Sequence, residues 1–429
     1  MGTIKQSLFK FKPFSIKQKK VLTWWLHNSP ANDKDGIIAD GSIRSGKTVS
    51  MSLSFIMWAM ENFKEQNFAM CGKTIGSFRR NVLSVLKLML LSRGYRVKEH
   101  RADNYLTISR KGIVNYFYIF GGKDERSQDL IQGITLAGVL FDEVALMPES
   151  FVNQATGRCS VEGSKFWFNC NPDGPYHWFK TEWIDRIEEK NLLYLHFTMD
   201  DNLSLTDKIK QRYASLYSGV FFQRYILGLW VVAEGIIYDM FSEAKHVINS
   251  LIRNENEKCY VSCDYGTQNA MVYLLWEKDI NGTWCATEEY YYSGRDESEQ
   301  KTDNEYADDL EAFIAGRKIE AVIIDPSAAS FIAEVKKRGF KVQKANNDVI
   351  NGIRFVAMLL NLEKIKFHSK CKNTIKEFGS YIWDKKACER GEDKPIKQHD
   401  HAMDSVRYFC YTVLYKRKAK INRSITGGF

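Results

Sequence analysis

Two successive α/β domains are the fold this sequence predicts, and three observations predict it. At 429 residues the chain exceeds one ordinary domain and can bury two or three cores. Apolar runs alternate with amphipathic helical stretches in both halves, the pattern of mainly parallel sheets with helical crossovers. Between the halves, a polar and charged stretch at 249–258 interrupts the series. The expected boundaries are a first domain over residues 1–228, with a helical lid over roughly 175–228, a connector over 229–256 and a second domain over 257–429.

Bulk properties narrow the class without deciding it. A hydrophobic content of 44% and a charged content of 26% are ordinary for a globular protein. The formal net charge of +9 suits a polyanionic partner, but many proteins that never meet nucleic acid share that bias. Nine cysteines without a CxxC pair argue against a zinc ribbon. Their odd number and the lack of a secretory N-terminus favour reduced thiols in a cytosol. Apolar stretches such as Val49–Met60 are short and broken by polar residues, so no membrane span is expected.

In the first half, Gly36–Asp40, Phe68–Gly72, Tyr116–Phe120, Val139–Phe141 and Phe166–Phe168 read as buried strands, with helices at Val49–Phe63 and Phe78–Leu91. The first strand runs into Gly41-Ser42-Ile43-Arg44-Ser45-Gly46-Lys47-Thr48, a complete G-x-x-x-x-G-K-[ST] between a strand and a helix. Glycines there let backbone N–H groups fold around phosphate oxygens, and the helix N-terminus adds partial positive charge. Lys47 can reach the β- and γ-phosphates of ATP, and Thr48 can ligate Mg²⁺. The strand ending in Asp142 and Glu143 is a weak signal alone and a strong one downstream of a phosphate loop. Asp142 would hold Mg²⁺ through water, and Glu143 would polarise the attacking water.

Other first-half candidates keep two readings each. Phe14 and Gln18 either contact adenine or begin an ordinary amphipathic helix. Asn169 and Asn171 either sense the γ-phosphate or form an Asn-Pro turn. Arg44 either stabilises charge on the transferring phosphoryl group or is a solvated loop arginine.

From Asn202 to Gly235 the pattern turns helical and aromatic. Beyond it, Tyr260–Cys263, Val272–Trp276, Trp284–Tyr292 and Ala321–Ile324 read as strands, and Asp303–Ala315, Ser330–Lys337 and His401–Arg417 as helices. The basic tail from Lys416 is expected to be mobile. Asp264 and Asp325 close two of these strands, and Asp404 lies in the first turn of the last helix, with His401 one turn before it on the same face. Three separated carboxylates at one sheet edge make a pocket for hard divalent cations. Two such ions, Mg²⁺ or Mn²⁺, would activate a water and stabilise the leaving oxygen of a phosphodiester. Glu289 is a candidate fourth ligand. His401 is open between ligand, proton carrier and orienting residue.

The segments GSIRSGKT (from Gly41), GVLFDE (from Gly138), NCNPDGPYHWF (from Asn169), RYILGLWVVAEGIIY (from Arg224) and DHAMDSVRY (from Asp400) occur in an order that resembles the large terminase subunits of tailed phages. The likeness is strongest to the branch found in phages and prophages of Gram-positive bacteria, and it spans nearly the whole chain. It implies an ATPase that drives double-stranded DNA through a portal into a procapsid, and a ribonuclease-H-like nuclease that cuts concatemeric DNA. It assigns Lys47, Thr48, Asp142 and Glu143 to ATP turnover, and Asp264, Asp325, His401 and Asp404 to the nuclease. It also implies a hairpin over 381–397 beside that centre, a small terminase subunit as partner, a homo-oligomeric ring on the portal with a monomer in free solution, and residence in the host bacterial cytoplasm. One departure stands out. Where many large terminases carry an arginine that acts on a neighbouring subunit's ATP, this chain has Gln132 before Gly133, leaving Arg126 or Arg158 as substitutes.

Two rival readings remain at this level. A DNA helicase or recombination ATPase would leave the three aspartates without a role. A non-catalytic DNA-binding scaffold would leave Lys47 and Glu143 without one.

Overall fold

The computed structural model of the chain describes residue 9 and residues 11–255, 257–266, 269–294 and 300–415. The tail from Lys416, expected to be mobile, lies outside the described residues. The chain divides into two compact units, Met1–Arg212 with Phe222–Val232, and Tyr213–Phe221 with Ala233–Phe429. The stretch expected as a separate connector is therefore shared, with 229–232 in the first unit and the remainder in the second. The expected lid range is likewise shared, because 213–221 belongs to the second unit.

The first unit is organised by one sheet of eight strands: β1 (Gly36–Gly41), β2 (Asn67–Gly72), β3 (Arg96–His100), β4 (Tyr105–Arg110), β5 (Ile113–Gly121), β6 (Gly138–Asp142), β7 (Lys165–Asn169) and β8 (Leu192–Phe197). Their order is β3-β4-β5-β2-β6-β7-β1-β8. The six strands from β5 to β8 in that order pair in parallel, and β3, β4 and β5 form an antiparallel meander. The inner strands β1, β2 and β6 are almost wholly buried because both faces are covered, whereas β5 alternates and the edge strand β8 is partly exposed. β3 and β4 likewise bury only part of their surface.

The helix Lys47–Asn62 fills one face of this sheet. Trp167 is fully buried there, its ring 4.7 Å from Trp58, 5.0 Å from Trp24 and 5.3 Å from Phe55. Gly138 admits this cluster, since a Cβ there would lie 2.7 Å from the Trp58 ring. Trp167→Ala is expected to cost about 3–5 kcal/mol, the usual range for emptying a buried aromatic site, read as a lowered midpoint in chemical unfolding.

The second unit carries seven strands: β9 (Val247–Ile248), β10 (Cys259–Asp264), β11 (Ala270–Lys278), β12 (Trp284–Ser293), β13 (Ile319–Ile324), β14 (Val342–Lys344) and β15 (Ile365–His368). The order is β14-β13-β10-β11-β12-β15-β9. β10, β11 and β12 are antiparallel neighbours, and β13 and β14 join the free side of β10 in parallel. That five-strand arrangement is ribonuclease-H-like. Val261 and Cys263 face one core, with Tyr273, Val322 and Phe331. On the opposite face Ser262 meets the helix His401–Phe409, its hydroxyl 2.8 Å from that of Ser405, while Phe409 stacks on Trp276 at 4.3 Å.

Candidate active sites

The first centre lies at the C-terminal ends of β1, β6 and β7, where open α/β sheets place ligands. Gly41 has φ +120 and Gly46 φ +85, the left-handed region that glycine adopts without strain, and a Cβ at Gly41 would meet the Phe197 carbonyl oxygen at 1.9 Å. Lys47 opens the next helix and folds back into the loop. Its Nζ donates to the carbonyl oxygens of Gly41 (3.0 Å) and Ser42 (2.7 Å), to Ser45 Oγ (3.2 Å) and to Asn171 Oδ1 (3.2 Å). Burial lowers its ammonium to about 8, against the opposing charges of Asp40, Asp142 and Glu143.

Strand register builds the acidic side. β6 pairs with β7 so that Asp142 is opposite Asn169, which in turn is opposite Ala39 of β1. Asp142 Oδ1 accepts from Thr48 Oγ1 at 3.0 Å and from Asn169 Nδ2 at 2.9 Å. Burial raises the Asp142 carboxyl, with those two bonds and the Lys47 charge acting against the rise. Hydroxyl and carboxylate oxygens at this spacing are the donors Mg²⁺ takes, so the pair fits that ion. Glu143 follows in a left-handed conformation (φ 61, ψ 48), a strained backbone of the kind that clusters at active sites.

The other first-half candidates separate. Arg44 is exposed on the loop with φ 59, and its carbonyl accepts from Asn202 Nδ2 at 2.6 Å. Gln18 is buried, and its Oε1 accepts from Ser15 N to complete the capping box of the helix Ile16–Thr23. Its Nε2 faces Gly46, where an added Cβ would lie 2.2 Å away, so this residue both caps a helix and lies against the phosphate loop. Phe14 is half-buried beside Phe11, with ring centroids 5.9 Å apart. Asn171 meets Lys47, and Asn169 meets Asp142. Arg126 is exposed on a 3₁₀ turn, and Arg158 is half-buried at the end of the helix Glu149–Gly157. Sequence reading passed over Asp40. This fully buried carboxylate precedes Gly41 and is gripped by His196 Nδ1 at 3.0 Å and Trp230 Nε1 at 2.7 Å. Nothing local marks it, because both partners are distant in sequence.

The second centre forms where β10 ends beside the last helix. Asp264 Oδ2 is 3.0 Å from His401 Nδ1. Asp264, Asp400, His401 and Asp404 line a cavity of about 440 Å³ with Tyr291 and Lys397. Burial raises the Asp264 carboxyl, and the charges of Asp404 and Asp400 add to the rise while His401 opposes it. Burial alone would lower His401, but the hydrogen bond and charge of Asp264 outweigh it and raise the imidazole. Asp404 accepts from Arg407 Nη2 at 2.8 Å and from Lys397 Nζ at 3.2 Å. Gly352 makes room for that arginine, since a Cβ there would lie 2.6 Å from Arg407 Cγ. Crowded, buried carboxylate oxygens balanced by cationic side chains fit a hard divalent cation at Asp264 and Asp404.

Two expectations are refined here. Asp264, Asp325 and Asp404 all lie near enough to act on the Tyr408 phenol, but they are not equivalent. β10 and β13 are parallel with Cys263 opposite Ile324, so Asp264 and Asp325 do leave neighbouring strand ends. Asp325, however, accepts from Ser327 N (2.7 Å), Ser327 Oγ (2.6 Å), Tyr408 Oη (2.9 Å) and Asn347 Nδ2 (3.3 Å), and it does not line the cavity. Burial pushes its carboxyl up, but these donors hold it below the ordinary range. Among the described residues, no group of three or more His, Cys, Asp or Glu stands ready to hold a metal ion. Glu289 is not placed as a ligand either. Its two oxygens accept from the backbone N–H and side chain of both Asn373 and Thr374, at 2.6–3.0 Å, at the start of the helix Lys372–Ser380. The hairpin implied over 381–397 is a loop closed by an antiparallel bridge between Trp383 and Pro395, with a short helix, Lys385–Glu389, inside it.

The family described as "Terminase large subunit, T4likevirus-type, N-terminal" matches residues 38–245. Crystal structures of the large terminase from a thermophilic bacteriophage are similar over the whole fold. One is 64% identical, covers 94% of this chain and 100% of that one, and has a TM-score of 0.89. The same phage's protein in complex with ADP is 64% identical with a TM-score of 0.86, and in complex with ATP-γ-S it is 63% identical with a TM-score of 0.85, each with the same coverage. No curated protein matches the chain.

Proposed function

The chain belongs to the terminase large subunits, the phage proteins of DNA packaging, and from that premise we propose how its two centres divide the work. The first binds and hydrolyses ATP with Mg²⁺ to drive double-stranded DNA into a procapsid. The second cuts concatemeric DNA with Mg²⁺ or Mn²⁺. What carries the motor reading is the assembly of Lys47, Thr48, Asp142 and Asn169 at adjoining strand ends, in a fold whose thermophilic phage relative is seen with ADP and ATP-γ-S. Lys47 already holds four oxygen acceptors in the place where phosphate oxygens would bind, and Glu143 is the base that orients water for in-line attack. At the second centre, bound cations would supply an activated water and charge neutralisation of a phosphodiester. Asp264 and Asp404 would hold them, with Asp325 joining once it leaves Tyr408. His401, paired with Asp264, can orient that carboxylate or carry a proton.

The working partners in this reading are double-stranded DNA, a small terminase subunit and the portal, with the large subunits forming a ring there inside the host bacterium. Among the described residues no helix is long and apolar enough to cross a membrane, and all nine cysteines are free. Purified protein with plasmid, Mg²⁺ or Mn²⁺, with and without ATP, tests both activities on one gel and in one phosphate-release assay. The reading fails if ATP is not turned over, or if the plasmid stays intact in both metals.

A motor that moves along any sequence grips phosphates and not base edges. Binding to duplex DNA should therefore be sequence-tolerant and fall steeply between about 50 and 200 mM salt, by about tenfold or more for each few phosphate contacts. Fluorescence anisotropy on two unrelated duplexes checks this, and a salt-insensitive affinity or a strong preference for one duplex contradicts it.

A further inference from the structure

The helix Lys372–Ser380 contains a carboxylate that the activities above do not use. Glu377 is 4% exposed, and its side chain points at another helix. Its Oε2 accepts from the backbone N–H of Ala402 (2.8 Å) and of Met403 (3.2 Å), in the first turn of the helix that carries His401 and Asp404. Its Oε1 accepts from Tyr291 Oη at 3.0 Å. The residue expected to cap that helix locally, Asp400, makes no side-chain capping bond. The first-turn N–H groups of a helix have no partner within it, so an anchoring acceptor there sets where the turn begins and which way its side chains face.

The same device recurs one step earlier. The helix Lys372–Ser380 also lacks a side-chain cap of its own at Cys371. Glu289 of β12 takes that role, through its bonds to Asn373 and Thr374. Thr374 and Glu377 are three residues apart and so share a helix face. Glu289 and Tyr291 are two residues apart on β12 and so share a sheet face. The sheet thus holds one helix by its start, and that helix holds the next by its start.

We propose that Glu289 and Glu377 form a serial capping relay from β12 to the nuclease centre, with Glu377 the positioning residue that sets His401 and Asp404 against Asp264. The acceptor oxygens at the end of the relay also suit the partial positive charge at a helix N-terminus. This rests on the nuclease reading of Asp264 and Asp404.

The experiment is Mn²⁺ titration of the full-length protein by calorimetry, beside plasmid cutting and thermal unfolding, for the parent, Glu377→Gln, Glu377→Ala and Tyr291→Phe. A carboxylate that only supports the fold changes how much protein is active, which calorimetry reads as stoichiometry. A positioning carboxylate changes the dissociation constant of the folded molecules. Glu377→Ala is expected to weaken Mn²⁺ binding by about tenfold to a hundredfold, as loss of an outer-shell partner does. Glu377→Gln keeps one acceptor oxygen for the two N–H groups but turns an NH2 toward Tyr291, so it should weaken binding less, by about twofold to tenfold, the worth of one hydrogen bond. Tyr291→Phe should fall close to the parent, and Glu377→Gln carries the test if the alanine variant does not fold. In that case the relay stands if the glutamine variant shows that smaller shift at full stoichiometry, and falls if it matches the parent. An alanine variant that binds Mn²⁺ with the parent's constant also overturns it. A parent that neither binds Mn²⁺ nor cuts overturns the nuclease reading itself, and the relay with it.

Discussion

Lys47→Ala should lose ATP hydrolysis by about 10²–10³-fold, the usual consequence of removing one preorganised donor from developing transition-state charge. Lys47 Nζ is the cation that the loop itself gathers in that place, through the carbonyls of Gly41 and Ser42, Ser45 and Asn171. Glu143→Gln should separate binding from chemistry. Glutamine keeps the size and one acceptor oxygen but cannot take a proton, so nucleotide affinity should stay near the parent while turnover falls by a similar factor. Phosphate release reads turnover, and equilibrium binding of a fluorescent ATP analogue reads affinity. Hydrolysis at the parent rate by both variants would remove the motor from this site. Loss of binding in Glu143→Gln would instead mean that the Glu143 carboxylate serves nucleotide binding as well as chemistry.

Asp264→Asn and Asp404→Asn should each reduce plasmid cutting on the order of 10²-fold or more, since a metal-held site supplies several kcal/mol of transition-state charge stabilisation. The structure adds an ordering that three equivalent ligands would not have. Asp325 is engaged by Tyr408, Ser327 and Asn347 and stands off the cavity, so Asp325→Asn should weaken Mn²⁺ binding less than Asp264→Asn does. Chelator should abolish cutting in every variant, and Lys47→Ala should leave cutting intact while ATP turnover is lost. Equal loss of Mn²⁺ affinity in all three aspartate variants would show that Asp325 is a full member of the resting site. Cutting by Asp264→Asn at the parent rate would make these aspartates structural.

Sequence alone determined whatever is written in contiguous residues. The phosphate loop from Gly41 to Thr48 is a local backbone device, and its flanking strand and helix show in their own periodicities. The acidic end of β6 and the His401–Asp404 face are legible for the same reason, as is the alternation that defines two α/β units. Tertiary structure decided what depends on which distant elements are neighbours. Asp40 reads as one more strand residue until His196 and Trp230 close on it. Glu289 has the residue type and strand placement of a metal ligand, and nothing in the chain nearby says otherwise. Its oxygens go to the first turn of the helix Lys372–Ser380, 84 and 85 residues away. One Asp325 oxygen meets Ser327 two residues on, but the other goes to Tyr408, 83 residues away. A carboxylate binds whatever donor packing brings within about 3 Å, and long-range packing, unlike helical or strand period, leaves no local repeat in the sequence to read.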